Sequence, residues 1–361
     1  MAADAPPTAY KEVPTLVEWN SLTEEDQIRQ QEEMTKFLGE SDTTEKFIEE
    51  CKEIGRKAVA IGGDFRTVLN SFVSLAERYG NYVPDLMTVY IPRWVGLMKR
   101  WSGSTGILSS SKVLAMETVV ALIEYGRVLA LIADIKTQSE LEGAQNALRA
   151  YVARHPIDIA TRVADGFKNL GIDLQDFSDD FAKYVGTFSV SSSAVVSLEA
   201  SVKSIMECQA TIADLNEKIQ ESAIALGCSS VFGILSDIPV GSIGHYVAQR
   251  NKAQANLVKT KSGILNSTTD SIIDDIIRYF ALLAMQAEFE QFKPGIVNNC
   301  QELSSFANIW AFATEQSIEI NIALNEGMVV LTRKKFQMKL ELLIVQIEPL
   351  REGLRAYAAQ I

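Results

Sequence analysis

The stretch that decides the fold is LEASVKSIMECQATIADLNEKI, residues 198–219. Aliphatic residues recur in it at intervals of seven: Leu198, Ile205, Ile212 and Ile219. Two amides, Gln209 and Asn216, take the positions between them on the same seam. This is the spacing of a coiled coil, in which polar seam residues set the register of pairing. The stretch predicts a helix over 188–221, about 50 Å long, that pairs with a neighbour.

The residues that follow, 222–249, are almost uncharged. Their sequence, SAIALGCSSVFGILSDIPVGSIGHYVAQ, has Asp237 as its one formal charge and contains four of the 21 glycines. DIPVG at 237–241 predicts a turn, because proline and glycine supply the backbone angles that turns need. A second amphipathic helix is predicted over 250–293, about 65 Å long. We therefore expect an apolar hairpin, residues 222–249, at the tip of two long antiparallel helices.

The rest of the chain indicates helices throughout. Strand-like alternation is rare, and helical periodicity predicts segments at 21–60, 63–101, 106–153, 157–186 and 296–360. Residues 1–20 hold three of the nine prolines and predict a loose N-terminal arm. The predicted fold is all-α: an elongated bundle of long antiparallel coiled-coil helices with the apolar hairpin at one end. Three parts are expected: the arm at 1–20, a rod of 21–221 with 250–361, and a hairpin head at 222–249.

Neither composition nor motifs favour an enzyme or a nucleic-acid-binding protein. The formal net charge is −12, with 46 acidic and 34 basic residues, and no long stretch is strongly basic. Binding to the phosphates of nucleic acids needs clustered Lys and Arg, so DNA or RNA is not favoured as a partner. The two histidines and four cysteines are far apart and show no metal-ligand or disulfide-scaffold spacing. No nucleotide-binding, hydrolase or calcium-loop motif occurs. We expect no catalytic residue, no cofactor and no metal ion.

Two interpretations of the apolar hairpin remain open. Its arms, 222–236 and 240–249, would be about 22 and 15 Å long as helices, short of the roughly 30 Å hydrocarbon core, so neither spans a bilayer unaided. The hairpin is either a buried part of the core or a sheltered segment that later enters lipid. Glycine costs about 0.5–1 kcal/mol per helix position, which favours the second interpretation.

The second interpretation names the residues that would act. The candidate membrane-insertion residues are Ile224, Leu226, Val231, Phe232, Ile234, Leu235, Ile238, Pro239, Val240, Ile243, Tyr246 and Val247. The candidate hinge residues are Glu221, Gly227, Gly241, Gly244 and Arg250.

A second group of residues, the tryptophans Trp94 and Trp101, also allows two interpretations. They are seven positions apart, so they lie on nearly one helix face, and Lys99 and Arg100 stand between them. They are either core residues or interface aromatics that contact a membrane or a partner. The apolar stretch 113–135 is interrupted every few residues by charges and predicts a central bundle helix.

The arrangement over 188–293, helix, glycine-rich apolar hairpin and helix, resembles the α-helical pore-forming toxins of the cytolysin A superfamily. That group includes the haemolysin BL and non-haemolytic enterotoxin components and the binary cytotoxins of Xenorhabdus, Photorhabdus and Yersinia. The length and the late hairpin are most similar to the smaller subunit of the binary cytotoxins. The resemblance covers the architecture of about residues 21–361 and no short motif.

The resemblance implies a soluble monomer that binds a target-cell lipid membrane, extends its hairpin and oligomerises, often with a second toxin subunit. The N-terminus lacks a basic region and an apolar stretch, so we expect secretion without a cleavable signal peptide. The alternative, from another class, is a soluble helical interaction or scaffold protein whose apolar hairpin is core.

Overall fold

The computed structural model describes residues 22–188, 193–225, 241–265 and 274–361. Within these ranges the regular structure is entirely helical, which confirms the all-α prediction. The α-helices are α1 Glu24–Leu38, α2 Ser41–Tyr79, α3 Ile91–Ser102, α4 Ile107–Ala133, α5 Gln138–Arg154, α6 Asp158–Gly186, α7 Ser193–Ala225, α8 Gly241–Leu265, α9 Asp274–Leu324, α10 Lys334–Val345 and α11 Ile347–Ala358. A π-helical turn, Leu86–Tyr90, precedes α3, and a 3-10 turn, Met328–Thr332, precedes α10.

Two predicted helix breaks are wrong. α2 continues through Gly62 and Gly63, where the sequence suggested an end, because an apolar face from Phe47 to Phe72 is buried along its length. α9 continues through Pro294, and its 51 residues correspond to about 77 Å. Burial along a continuous face outweighs the local cost of glycine and proline in both helices.

α9 is the central helix of the bundle. It packs against α2, α4, α5, α6 and α7. It runs antiparallel to α2, since Ser71 contacts Glu288 whereas Ile54 contacts Asn299. Further from α9, α11 packs on α2 and α4, and α10 packs on α1.

An aromatic cluster fills the space between α2, α3, α6 and α9, with ring centroids 5.0–6.4 Å apart. Its members are Phe65, Phe72, Tyr90, Trp94, Trp101, Phe167, Phe177, Phe181 and Phe289. Trp94 and Trp101 are both 0% exposed, and the indole N–H of Trp94 donates to the carbonyl oxygen of Phe65 at 2.8 Å. In this conformation the two tryptophans are therefore core residues. They are not exposed to a membrane or a partner.

The stretch Leu86–Ala133, which includes α3 and α4, is long and apolar enough to cross a membrane, by length and composition only. It contains an 18-residue window with a mean hydropathy of 1.5, of which 44% is buried inside the protein. Core helices of soluble proteins pass the same test. Leu122 and Leu129 of α4 are buried in the main core, as expected for the predicted central bundle helix.

Helices α2 and α11 approach closely because glycine stands at their crossing. A β-carbon added at Gly353 would lie 2.5 Å from the ring of Phe47 and 2.8 Å from the Sγ atom of Cys51. Real β-carbons do not approach other atoms so closely, so a larger residue at Gly353 would push the two helices apart.

A charged pair is enclosed where α9 crosses α6. Lys293 Nζ lies 2.7 Å from Glu290 Oε2, and both side chains are 0% exposed. The ammonium group also donates to the hydroxyl of Ser178 at 2.8 Å, and that hydroxyl donates to Glu290. Burial lowers the pKa of Lys293, and the carboxylate of Glu290 opposes this effect. The trio links α6 to α9 inside the core.

We expect Lys293→Met to lower the free energy of unfolding by about 3–5 kcal/mol, because it leaves the carboxylate of Glu290 buried without its cation. Glu290→Met/Lys293→Met should cost much less, since both charges are removed. Urea titration followed by circular dichroism measures both. Lys52→Met, which breaks an exposed pair with Glu49, is the control and should cost less than about 1 kcal/mol. Equal losses in the single and double variants would contradict the role of the pair.

Candidate functional site: the α7–α8 pair

Helices α7 and α8, here called the α7–α8 pair, lie on either side of the apolar hairpin in the sequence. Ile205, Ile212 and Leu257 form a hydrophobic cluster of their own, against which Cys208 and Ala253 pack. Val202 and Ile219, further along the seam, are also buried. This confirms the predicted coiled-coil seam between 202 and 219. The side chain of Leu198 lies outside the described part of the structure.

The two helices of the pair are antiparallel. Ile205 shares its cluster with Leu257, whereas Lys218, later on α7, interacts electrostatically with Tyr246, earlier on α8. Antiparallel pairing agrees with the prediction.

α7 and α9, in contrast, are parallel. Glu199 contacts Tyr279, and Asn216 contacts Asn298 and Gln301 further along α9. α8 and α9 therefore run in opposite directions. The single helix predicted over 250–293 is wrong, because its two parts belong to two helices that run in opposite directions.

Hydrogen bonds between side chains attach α7 to α9. The Asn216 amide Nδ2 donates to Asn298 Oδ1 at 3.1 Å and to Gln301 Oε1 at 2.8 Å. Nearer the start of both helices, the Tyr279 hydroxyl donates to Glu199 Oε1 at 2.6 Å. Burial and this carboxylate raise the pKa of Tyr279 to about 12, so the phenol stays protonated at neutral pH and keeps its donor.

Arg250 attaches α8 to the rod by charge. Its side chain is buried, at 6% exposure. Burial lowers the pKa of the guanidinium, and the carboxylates of Glu302 on α9 and Glu50 on α2 oppose this effect. Both carboxylates act on the guanidinium electrostatically, so Arg250 faces α9 and α2 from α8.

A groove of about 970 Å³ separates the middle of α7 from α6. Phe167, Gly171 and Ile172 line it from α6, and Met206 and Ala210 line it from α7. The α7–α8 pair is therefore not packed flush against the rod along this side. Because α6 and α7 are not in full contact here, separating the pair from the rod would expose less apolar surface to water than separating two fully packed helices.

The candidate insertion residues fall into two groups. Ile243 and Val247 of α8 are buried in the main core, at 1% and 0% exposure, and Tyr246 is half-buried. The backbone of Ile224 is described as part of α7, but its side chain is not. The remaining candidates lie outside the described residues: Leu226, Val231, Phe232, Ile234, Leu235, Ile238, Pro239 and Val240.

The candidate hinge residues lie within helices or outside the described ranges. Glu221 is exposed inside α7, Gly241 is the first residue of α8, and Gly244 and Arg250 are inside α8. Gly227 lies outside the described residues. Their hinge roles stay predictions.

Sequence reasoning missed the α9 half of this attachment. Asn298, Gln301 and Glu302 are the residues of α9 that contact or face the pair. The available signal was a run of polar residues within an otherwise apolar helix, since buried polar groups need hydrogen-bond partners. Among the described residues, no group of three or more His, Cys, Asp or Glu is placed to hold a metal ion.

No protein-family model and no curated protein matches the chain. Among solved structures, the chain is similar to two crystal forms of soluble SmhA, from the tripartite alpha-pore forming toxin Smh of Serratia marcescens. Crystal form 2 has 12% identity over 86% of this chain and 94% of SmhA, with a TM-score of 0.38. Crystal form 1 has 14% identity over 84% and 94%, with a TM-score of 0.34. At these scores the likeness carries no functional argument.

Proposed function

We propose that the chain is a subunit of a pore-forming cytotoxin. In the soluble monomer the α7–α8 pair rests on the rod. On a target membrane the pair leaves the rod, the apolar hairpin at 222–249 enters lipid, and several subunits assemble, together with a second toxin component. Secretion without a cleavable signal peptide is part of the proposal.

The observation that supports this best is the contrast between the two sides of the α7–α8 pair. Between its helices the pair has a separate aliphatic cluster, Ile205 with Ile212 and Leu257. Toward the rod, buried apolar residues such as Val247 join the main core, and Asn216 supplies polar contacts to α9. A hydrogen bond contributes about 0.5–1.5 kcal/mol net, because water replaces a lost partner. In this proposal the separate cluster keeps the two helices together when the pair leaves the rod, and water replaces the polar contacts to α9.

Lipid is the environment that suits the sequence of the hairpin. Burial of apolar surface is worth about 25 cal/mol per Å², whether the surface is covered by protein or by lipid. A hairpin with one formal charge, Asp237, exchanges one apolar environment for another at little net cost. Membrane binding or assembly then shifts the balance between the two states.

The alternative function is a helical interaction scaffold in which the hairpin is static. Burial of Ile243 and Val247 in the main core favours this alternative. Both functions start from the same conformation, so they differ only in whether the α7–α8 pair separates from the rod.

In an assay that also contains the second toxin component, we expect Phe232→Glu/Leu235→Glu to abolish dye release from phosphatidylcholine–cholesterol vesicles while leaving the circular dichroism spectrum of the chain unchanged. A charge at the bilayer centre costs about 2.5–3.5 kcal/mol on insertion scales. Val258→Glu, at a 62% exposed position of α8 outside the hairpin, is the control and should retain dye release. Dye release by the double variant would show that the hairpin does not enter lipid, and loss of the folded state would favour the scaffold.

Locking α7 to α9 should block activity reversibly. In the same two-component assay, we expect a disulfide-containing bismaleimide between Asn216→Cys and Asn298→Cys, with Cys208→Ser and Cys228→Ser, to abolish dye release until the linker is reduced. The two native side chains are in hydrogen-bond contact, which places them within reach of the linker. Burial raises the pKa of the Cys51 and Cys300 thiols, so these cysteines should not react.

The matched control links the two helices of the pair to each other, through native Cys208 and Ala253→Cys with Cys228→Ser. Both positions pack on the Ile205–Leu257 cluster, so this linker should leave dye release intact. Loss of activity in the control, or full activity of the α7–α9 cross-linked protein, would contradict movement of the α7–α8 pair as a unit.

A second component is expected because the net charge of −12 opposes binding to anionic lipid. We expect the purified chain alone to release little dye, and the chain with the product of a neighbouring gene to release it fully. Vesicle sedimentation in parallel reports binding. Full release and membrane-bound rings from the chain alone would rule out the second component and leave pore formation standing.

A further inference from the structure

The groove between α6 and α7 lies where the α7–α8 pair meets the rod. Its lining extends along α7 from Lys203 to Gln220, about 25 Å, and includes Val297 and Cys300 of α9. α6 and α7 follow each other in the chain and both pack on α9, but the groove keeps them apart. Ile172 of α6, an apolar residue of the lining, is 49% exposed. The volume of about 970 Å³ is within the range of sites that bind a small molecule.

Gln209 brings an amide with unused hydrogen-bonding capacity into this groove. Its side chain belongs to the lining and is 9% exposed. Within the part of the chain that the structure describes, neither its Nε2 nor its Oε1 atom has a hydrogen-bond partner. Asn216, seven positions later on α7, donates to two residues of α9. Because a buried amide is costly without partners, Gln209 indicates a ligand that both accepts and donates a hydrogen bond.

The charges of the groove favour a neutral ligand. Its two buried charged side chains, Arg250 and Glu302, have opposite signs and act on each other electrostatically. The exposed charges of the lining also have both signs: Lys168, Lys203, Glu207, Asp214 and Glu217. Most of the other polar side chains are amides: Gln175, Gln209, Asn216, Gln220 and Gln301. Neither an anion nor a cation would find an excess of the opposite charge at the buried part of this groove.

Hydroxyl groups match such a lining. A hydroxyl both donates and accepts, so two neighbouring hydroxyls of one ligand can bond to the Oε1 and Nε2 atoms of Gln209. The apolar part of the lining, which includes Ile172 and Met206, favours an apolar part in the same molecule. Together the two requirements describe a neutral molecule with a polyhydroxyl head group and a hydrocarbon chain.

We propose that the groove between α6 and α7 binds one molecule of an alkyl glycoside from solution, with sugar hydroxyls on Gln209 and the alkyl chain along Ile172 and Met206. The lining comes from α6 and α9 on one side and from α7 and α8 on the other, so the bound molecule contacts both the rod and the α7–α8 pair. This inference does not depend on the proposed toxin function.

Isothermal titration calorimetry of the full-length chain with octyl β-glucoside, below the concentration at which it forms micelles, tests the proposal. Octanoate and octylammonium are the matched ligands, because they carry the same chain on an anionic and a cationic head group. We expect one glucoside per chain and an affinity at least about ten-fold above that of either ion, since an ionic head group would lose its hydration without gaining a partner. Equal affinities, tighter binding of an ion, or no binding would each overturn the proposal.

A substitution that fills the groove tests where the glucoside binds. Among the described residues, a β-carbon added at Gly171 meets no neighbouring atom within 4 Å, so Gly171→Trp can project into the groove without a backbone clash. We expect it to abolish glucoside binding. Gly143→Trp, at an exposed glycine of α5 with equally open surroundings, is the control and should bind as the native chain does. Native affinity in Gly171→Trp would overturn the proposal.

A second substitution tests the role of the amide. Gln209→Leu should lower the affinity for the glucoside about ten-fold, because the hydroxyls lose both hydrogen bonds to the side chain. Gln31→Leu, at a buried glutamine of α1 outside the groove, is the control and should leave the affinity unchanged. Circular dichroism shows whether each variant is folded. Equal affinities of the Gln209→Leu and Gln31→Leu variants would contradict hydroxyl recognition by Gln209 and overturn the proposal.

Discussion

Contacts of buried polar side chains on α9 constrain where α2, α6 and the end of α5 lie along this helix. α9 is surrounded by five helices, so water cannot satisfy these groups. Glu290 and Lys293 are satisfied by each other and by α6, and Asn299 donates to the carbonyl oxygen of Ile54 on α2 at 3.2 Å. Thr314 donates to the carbonyl oxygen of His155 after α5 at 2.9 Å. A shift of one of these helices along α9 would break its contact with a buried polar group.

The same constraint is met in a different way where α7 and α8 contact α9. There the partners are amides and charges near the edge of the bundle, around Asn216 and Arg250, and a groove borders them. In the aromatic cluster, by contrast, Trp94 is enclosed on all sides by rings and carries one hydrogen bond. Water cannot replace the contacts of an enclosed apolar side chain, whereas it can replace the hydrogen bonds of an amide or a charged group. Water can therefore replace the polar part of this attachment, whereas Ile243 and Val247, which are buried in the main core, hold the pair on the rod.

The candidate site was predictable in its local features. The seven-residue spacing of Ile205, Ile212 and Ile219 required a paired helix, and turn residues after 236 required antiparallel pairing. Both predictions are confirmed for the described residues. The partners of Asn216 and Arg250 were not predictable, because they lie about 50 to 200 positions away in the sequence and no local pattern records such contacts.

The sequence by itself determined that the chain is helical, where the coiled-coil seam lies, and that 222–249 is apolar. These properties follow from short-range periodicity and composition. Only the tertiary structure decided that Trp94 and Trp101 are core residues, that α9 continues through Pro294, and that 250–293 divides between two helices of opposite direction. Those outcomes depend on which distant helix covers each face. Burial along α2 and α9 outweighs the local preferences of glycine and proline, and the sequence alone does not show that burial.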